Sequence, residues 1–249
     1  MTVSLNIPAP AGGSVVSLST SPGVAGSVPA SVTVQADQLS TTFDFSATAI
    51  PGIEQVTAGV NASEVSANVT VTAPPVLVIN EVDYDQPGPD TMEFVEIYNP
   101  GGSAYDLAGV RLILANGSSG LTYQDIDLSS LGSLAPGQFL VVGSAQVLAS
   151  VPGTALTLQY DSSIQNGSPD GIALIQGSDI LDRLSYEGEF FADIPGLGSV
   201  NLVEGTAASA QDSNSEVGSM SRLPDGADSD NANDDWFFVT VPTPGEANQ

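Results

Sequence analysis

The sequence contains no cysteine, no histidine and no lysine, and its only cationic side chains are three arginines. The absence of cysteine excludes disulfides, thiolate nucleophiles and thiolate metal sites. A serine or threonine nucleophile needs a base such as histidine or lysine, so nucleophilic hydrolysis is disfavoured as well. Transition-metal sites usually rely on imidazole or thiolate ligands, and both are missing. These absences predict that the protein is not an enzyme.

Aromatic residues are scarce, at 6% of the chain with a single tryptophan. Glycoside hydrolysis needs only two carboxylates, but a sugar-binding cleft usually also offers aromatic rings for stacking, so the composition disfavours a glycosidase. No apolar run approaches the length of a membrane span, and we therefore expect no membrane insertion. The N-terminus shows no basic and apolar signal-peptide pattern, and its immediate β character suggests a piece of a longer protein.

Acidic residues dominate the charge, with 29 of them against three arginines and a formal net charge of −26. Such a surface repels phosphate backbones and anionic lipid head groups, so no nucleic-acid partner is expected. The charge also suits solubility in a saline medium, where added salt screens self-repulsion. A protein or glycan partner stays open, and the oligomeric state is not predicted.

Residues 1–73 consist of short apolar runs separated by glycine and proline, and they are nearly uncharged. This spacing predicts a small β-sandwich of immunoglobulin type that acts as a spacer. In Thr42–Thr48, strict alternation places Phe43, Phe45 and Ala47 on one face. The strands are expected near Val3–Ile7, Val15–Ser19, Val32–Val34, Thr42–Thr48, Gln55–Asn61 and Ser66–Thr72.

A stiff linker is predicted at Pro74-Pro75, and residues 76–249 beyond it carry 25 of the 29 acidic residues. This part reads as one continuous β domain that opens with a strand, an acidic turn and a second strand over residues 77–99. A short helix is expected over 144–150, and a long acidic irregular segment over 187–235. Further strands are expected at Asp106–Leu114, Leu121–Leu128, Leu134–Val142, Thr154–Tyr160, Asp170–Gln176, Ile180–Tyr186 and Trp236–Thr240.

Five sequence blocks of the second domain resemble, in order, the bacterial lamin-tail domain over about residues 76–249. They are INEVDYD…EFVEIYNP, DLAGVRL, LAPGQFLVV, DGIALI…ILDRLSY and RLPDGADSD…PTPGEAN. The run PAPAGGSVVSLSTSPGVAGSVPASVTVQA in the first domain resembles the Ig-like repeats of large bacterial surface proteins. The resemblance implies an Ig-like sandwich for the second domain too. The expected fold class is therefore all-β, with two Ig-like β-sandwich domains in tandem.

The resemblance also implies a location and a function. Bacterial members of the lamin-tail family are secreted or cell-surface modules, and the family has no characteristic catalytic residues. We therefore expect a non-catalytic structural or interaction module of a secreted or cell-surface bacterial protein. Two alternatives stay open: a calcium-dependent, adhesin-like module that binds a glycan or a protein, and an accessory domain of an extracellular hydrolase.

Two acidic stretches predict calcium sites, because Ca²⁺ prefers carboxylate and carbonyl oxygens on flexible loops. The first stretch lies where two predicted strands converge on one turn. Its candidate ligands are Asp83, Asp85 and Asp90, together with Glu93. No complete ligand pattern is present, so a solvated acidic turn is the alternative interpretation.

The second stretch, residues 225–235, offers Asp228, Asp230 and Asp234 as ligands. It differs from an EF-hand loop, because Ala232 stands at the third ligand position when the loop is counted from Asp228. The stretch is therefore either an irregular calcium loop or an acidic turn. Calcium is the one cofactor that the sequence suggests.

Two of the arginines, Arg183 and Arg222, are expected to pair with the nearby carboxylates of Asp182, Glu187 and Asp225. The third arginine lies in a predicted strand and is expected to point away from the apolar face.

An aromatic pair, Phe190-Phe191, lies in the acidic segment. It either plugs the sandwich or forms an exposed contact for a partner, and the plug is favoured because large exposed apolar patches are uncommon on soluble domains.

Overall fold

The computed structural model describes residues 1–48, 52–71 and 77–249. The chain divides into two compact units, Met1–Pro74 and Pro75–Gln249. The predicted linker Pro74-Pro75 lies outside the described residues. The described parts consist almost wholly of strands, which confirms the all-β prediction.

The first unit combines a four-stranded sheet with two small two-stranded sheets. The strands are β1 (Thr2–Ser4), β2 (Ser14–Ser21), β3 (Gly26–Ser27), β4 (Ser31–Val34), β5 (Ser40–Thr42), β6 (Ser46–Ala47), β7 (Gly52–Val60) and β8 (Ser63–Val71). The larger sheet has the order β4-β2-β7-β8, and the smaller ones are β1-β5 and β3-β6. Buried residues from both layers, including Val3, Val16 and Phe43, form one core, as in a β-sandwich.

The prediction of a single strand over Thr42–Thr48 is wrong. The chain forms β5, which ends at Thr42, and then β6 at Ser46–Ala47. β5 pairs with β1 whereas β6 pairs with β3, so the segment changes partners and the ladder breaks between them. Phe43 is buried but Ala47 is exposed, and the alternation therefore does not run through the segment.

The described part of the second unit, residues 77–249, contains fourteen strands, two short helices and one 3₁₀ turn. Helix α1 (Ala145–Leu148) lies within the helix predicted over 144–150, and α2 (Ala232–Asp235) was not predicted. The strands are β9 (Val78–Asp83), β10 (Phe94–Tyr98), β11 (Tyr105–Asp106), β12 (Val110–Asn116), β13 (Leu121–Asp127), β14 (Ser133–Leu134), β15 (Phe139–Gly143), β16 (Leu156–Gln159), β17 (Asp170–Gln176), β18 (Asp179–Tyr186), β19 (Phe191–Ile194), β20 (Gly198–Asn201), β21 (Ser219–Arg222) and β22 (Trp236–Val239).

Two six-stranded sheets pack face to face in the second unit. One has the order β16-β15-β10-β9-β21-β22 and the other β18-β17-β12-β13-β19-β20, with a small β11-β14 ribbon beside them. Ile79 and Val95 from the first sheet share one core cluster with Leu112 and Leu174 from the second. The unit is thus a β-sandwich whose central strands are antiparallel.

The central strands of this unit are buried on both faces. All six residues of β9 are buried, and β17 is buried up to its last residue. The outer face of the second sheet, including Ile113 and Ala173, is covered by Phe190 and Leu202 from around the β19–β20 hairpin. Helix α1 covers the outer face of the first sheet through Val147. This double burial explains the continuous apolar runs in the sequence.

The prediction of an irregular segment over residues 187–235 needs correction. Three strands, β19, β20 and β21, and helix α2 lie within it. β21 is hydrogen-bonded between β9 and β22, so this segment contributes an inner strand to the first sheet.

Phe190 is buried whereas Phe191 is 63% exposed, so one ring plugs the sandwich and the other faces outward.

Among the helices that the structure describes, none is long and apolar enough to cross a membrane.

Candidate functional site

The main polar cluster of the second unit surrounds Arg222, the last residue of β21. Its side chain is fully buried, and Nη2 donates to both carboxylate oxygens of Asp182 at 3.0 and 3.1 Å. Nη1 lies 3.2 Å from Asp235 Oδ2. Nε donates to the Ile79 carbonyl at 2.9 Å, and the guanidinium carbon lies 5.0 Å from the centre of the Trp236 ring. These contacts join β9, β18, β21 and α2 at one buried point.

Two further carboxylates complete this cluster, so acidic groups outnumber the single arginine. Asp228 Oδ1 lies 3.4 Å from Nη1, and Glu204 Oε2 lies 3.5 Å from Nη2. Burial raises the pKa of Asp182 to about 6, although the charge of Arg222 opposes this shift. Burial, together with the charges of Asp182 and Asp228, raises the pKa of Glu204 to about 8. The four carboxylates of the cluster thus carry more negative charge, when ionised, than the single positive charge of Arg222 can balance.

One group of acids at the edge of this cluster has a spacing suited to a metal ion. Carboxylate oxygens of Glu204, Asp228 and Asp230 all lie within 4.8 Å of one another. Glu204 is buried whereas the two aspartates are exposed. The structure therefore brings the sequence-predicted Asp228 and Asp230 together. Asp234 lies apart in α2, where its side chain accepts from Asn231 Nδ2 at 2.5 Å.

A second polar cluster fastens the C-terminal tail to the first sheet. Glu81 accepts hydrogen bonds from Thr243 N at 3.0 Å and from Ser219 Oγ at 2.5 Å. Glu96, opposite Glu81 in the β9–β10 ladder, accepts from Gly245 N at 2.7 Å. Burial raises the pKa of both glutamates, that of Glu96 to about 9. These carboxylates bind the backbone of the tail.

The first acidic stretch is arranged less closely than the sequence predicts. Asp83 is buried at the end of β9 and accepts from Gln86 Nε2 at 2.5 Å, and burial raises its pKa to about 8. Asp90 Oδ1 accepts from Gln86 N at 3.2 Å. Asp85 Oδ1 is buried and has no hydrogen-bond partner among the described residues. Within the described part of the chain, Asp83, Asp85 and Asp90 do not belong to any group of three acids that is close enough to hold one metal ion.

An acidic cavity of about 280 Å³ opens beside this stretch. Glu93, immediately before β10, lines it; only 6% of this residue is exposed, and burial raises its pKa to about 7. Its Oε2 accepts from Ile164 N at 2.9 Å, whereas its Oε1 has no partner among the described residues. Asp90, Asp161 and Tyr160 also line the cavity. We refer to it as the Glu93 cavity.

The arginine predictions hold in part. Arg222 pairs with Asp182 as expected, but Asp225 instead accepts from Asn80 Nδ2 and Asn248 N, both at 3.0 Å. Arg183 takes part in none of the ion pairs among the described residues. Glu187 accepts from the Tyr84 hydroxyl at 3.2 Å. The third arginine, Arg111, is partly exposed on its strand and pairs with Asp125.

Comparison with known families identifies the larger part of the second unit. Residues 70–188 match the family model described as Lamin Tail Domain. The chain contains a lamin tail domain. No curated protein and no solved structure matches the chain significantly. The predicted family is thereby confirmed, and the lamin tail domain is a non-enzymatic, Ig-like fold family.

The family match and the structure delimit the lamin tail domain differently. The match ends at residue 188, whereas the resemblance predicted from the sequence extends to residue 249. In the structure, β21 and β22 lie beyond the match but belong to the same sheet as β9 and β10. Arg222 also lies beyond the match and contacts Asp182 within it. The residues after 188 therefore complete the sandwich of this lamin tail domain.

Sequence reasoning missed several residues of these sites. Glu204 lies in a segment expected to be irregular, and no local spacing links it to Asp228. Asp161 and Tyr160 follow β16, far along the chain from Glu93. Glu93 was not missed, because it precedes a predicted buried strand and was included in the first acidic stretch.

Proposed function

We propose that this protein is a non-catalytic structural or interaction module of a secreted or cell-surface bacterial protein, and that its partner is a protein or a glycan. The supporting observation is the use made of the buried carboxylates. Asp182 and Asp235 bind Arg222, whereas Glu81 and Glu96 bind the C-terminal tail. Carboxylates are the main acid–base groups of this chain, which has no histidine or lysine. Their commitment to internal hydrogen bonds fits a module that binds without chemistry.

The proposal is tested by assaying the whole chain for both turnover and binding. Turnover is measured on phosphomonoester, phosphodiester, glycoside, ester and peptide substrates, with and without Ca²⁺. Binding is measured on arrays of glycans and of bacterial surface proteins. We expect saturable binding of one ligand class and no turnover above the blank. Turnover that Glu204→Gln or Glu93→Gln abolishes would overturn the proposal.

A second candidate function is calcium-dependent binding, and the Glu204, Asp228 and Asp230 group favours it. Its carboxylate oxygens lie within 4.8 Å of one another, a spacing that one Ca²⁺ ion bridges. If calcium organises this edge for a glycan or protein, array binding should be lost in chelator. It should also be lost in Asp230→Asn with calcium present. Array binding that is unchanged in chelator would contradict this candidate.

A further inference from the structure

We propose that the Glu93 cavity is a binding site for a hard divalent cation, Ca²⁺, with Glu93 as its buried ligand. This site is separate from the Glu204 group and does not depend on the proposed module function. It also differs from the set predicted from the sequence, which was Asp83, Asp85 and Asp90 with Glu93, because Asp83 and Asp85 do not line the cavity and Asp161 does.

The first argument is the unpartnered oxygen of Glu93. Glu93 is 94% buried, and its Oε1 is inaccessible to solvent and has no hydrogen-bond partner among the described residues. Buried polar atoms in folded proteins nearly always have a partner, so an exception calls for a missing water or ion. Its other oxygen is held by Ile164 N at 2.9 Å, which fixes the carboxylate at the cavity wall.

The second argument is uncompensated charge around the cavity. Asp90 and Asp161 line it with Glu93, and the charges of Asp85 and Asp212 act on Glu93 as well. Asp85 does not line the cavity, but its buried Oδ1 also has no hydrogen-bond partner among the described residues. None of the three arginines lines the cavity. The negative charge therefore has no internal cation to balance it, and buried charges are normally paired or bound to a metal.

The third argument concerns the kind of cation. The polar groups that line the cavity are carboxylates, hydroxyls, an amide and the peptide backbone, which are the oxygen donors that Ca²⁺ prefers. The volume of about 280 Å³ leaves room for several waters beside the ion, since a water occupies about 30 Å³. Ca²⁺ completes a shell of six to eight oxygens with such waters and tolerates irregular geometry, whereas Mg²⁺ demands a near-ideal octahedron.

The Glu93 cavity differs from the Glu204 group in its charge balance, although its acids do not form a group of three within 4.8 Å among the described residues. Arg222 lies 3.5 Å from Glu204 Oε2 and 3.4 Å from Asp228 Oδ1, so a positive charge already neutralises that group in part. The guanidinium therefore weakens the attraction of that group for a divalent cation. No such competitor lines the Glu93 cavity among the described residues.

The test is calorimetric titration of the whole chain with Ca²⁺ at fixed ionic strength, after removal of metal with chelator. We compare Glu93→Gln, Asp161→Asn and Asp230→Asn with Glu216→Gln, which alters an exposed acid outside both sites. Glu93→Gln keeps an oxygen for Ile164 N. We expect one saturable site whose affinity falls at least tenfold in Glu93→Gln and severalfold in Asp161→Asn. Asp230→Asn and Glu216→Gln should leave the affinity unchanged.

The inference would be overturned by heat that matched monovalent salt reproduces, by an unchanged affinity in Glu93→Gln, or by loss of binding in Asp230→Asn alone. The last result would instead assign the ion to the Glu204 group. If Glu93→Gln fails to fold, the double variant Asp90→Asn with Asp161→Asn takes its place and should show the same loss.

A titration with methylammonium, which mimics a partner's lysine side chain, should show no saturable binding. A tighter site for methylammonium than for Ca²⁺ would contradict the proposal. Failure of this test leaves the non-catalytic function standing, because that function is judged by turnover.

Discussion

At the scale of single residues, the central interaction of the second unit is that of the buried Arg222 with four carboxylates. The arginine is fully buried, and the four carboxylates within 3.5 Å of it come from β18, from the loop after β20 and from the stretch after β21. A buried ion pair adds little net stability over an apolar replacement, but removal of one partner leaves buried charge without compensation. The arginine is therefore indispensable once the carboxylates are in place.

We predict that Arg222→Met destabilises the second unit by about 3–5 kcal/mol, because Asp182 and its neighbours lose their cation. Arg111→Met is the matched control, since its pair with Asp125 is about one-third exposed. That exposed pair should contribute at most about 1 kcal/mol. Urea unfolding curves of both variants measure the difference. Equal losses in the two variants would show that the Arg222 cluster does not hold the sandwich together.

We predict that stability falls as the pH rises from 5 to 9, with Glu96 as one cause. Its folded-state pKa is raised to about 9, mainly by burial, whereas the unfolded chain has its ordinary value near 4.5. Between these values the folded state holds a proton that the unfolded state has lost, so the contribution is complete below pH 4.5 and disappears as the pH approaches 9. Glu96→Gln should flatten the dependence of the urea midpoint on pH. A midpoint that rises from pH 5 to pH 9 would contradict this assignment.

At the scale of elements, the predictions from sequence succeeded where pairing is local. The hairpin of β17 and β18 and the strand β13 follow from alternating or continuous apolar runs that turn residues separate, whereas the strand predicted at Asp106–Leu114 is divided between β11 and β12. The strands within residues 187–235 were missed because each is only four residues long and β21 pairs with the distant β9, although β19 and β20 form a local hairpin. Such pairings depend on tertiary contacts that no local pattern encodes. The same limit applies to Glu204 and Asp161, which reach their sites only through the fold.

The β19–β20 hairpin offers a matched pair for testing its role as a cover. Phe190 is buried against the outer face of the second sheet, whereas Phe191 is 63% exposed. We predict that Phe190→Ala costs about 3–5 kcal/mol, because it leaves a cavity over a buried sheet. Phe191→Ala should change stability by less than about 0.5 kcal/mol. Chemical unfolding of the two variants measures both values, and a larger loss in Phe191→Ala would show that the hairpin packs differently.

The C-terminal tail should be an integral part of the sandwich. Removal of residues 241–249 takes away the donors Thr243 N and Gly245 N, and leaves the buried Glu81 and Glu96 with fewer partners. Because each unsatisfied buried acceptor costs about 1–3 kcal/mol, we predict a loss of several kcal/mol in unfolding free energy. Thermal unfolding of the truncated chain measures it. Removal of Asn248 and Gln249 alone should cost less, and an unchanged midpoint after the longer truncation would disprove the role of the tail.

At the scale of the whole molecule, family membership and fold class were predictable because they depend on several ordered motifs and on composition. The chemistry of the acidic sites was less predictable. A net charge of −26 indicates solubility as readily as metal binding, and only the folded arrangement separates acids that bind Arg222 from acids that line a cavity. The second unit thus uses most of its buried carboxylates in internal hydrogen bonds, whereas Glu93 Oε1 has no partner among the described residues.

The central claim, that the Glu93 cavity binds Ca²⁺, is tested most directly by thermal melts of the whole chain and of Glu93→Gln. Both are measured in chelator and then in calcium at constant ionic strength. At a hundredfold excess over Kd, binding to the folded state adds about 2.7 kcal/mol. For a domain of this size that is a rise of about 5–10 °C in the midpoint. We predict this rise for the wild-type chain and its loss in Glu93→Gln. An equal rise in both chains, or one that monovalent salt reproduces, would contradict the claim.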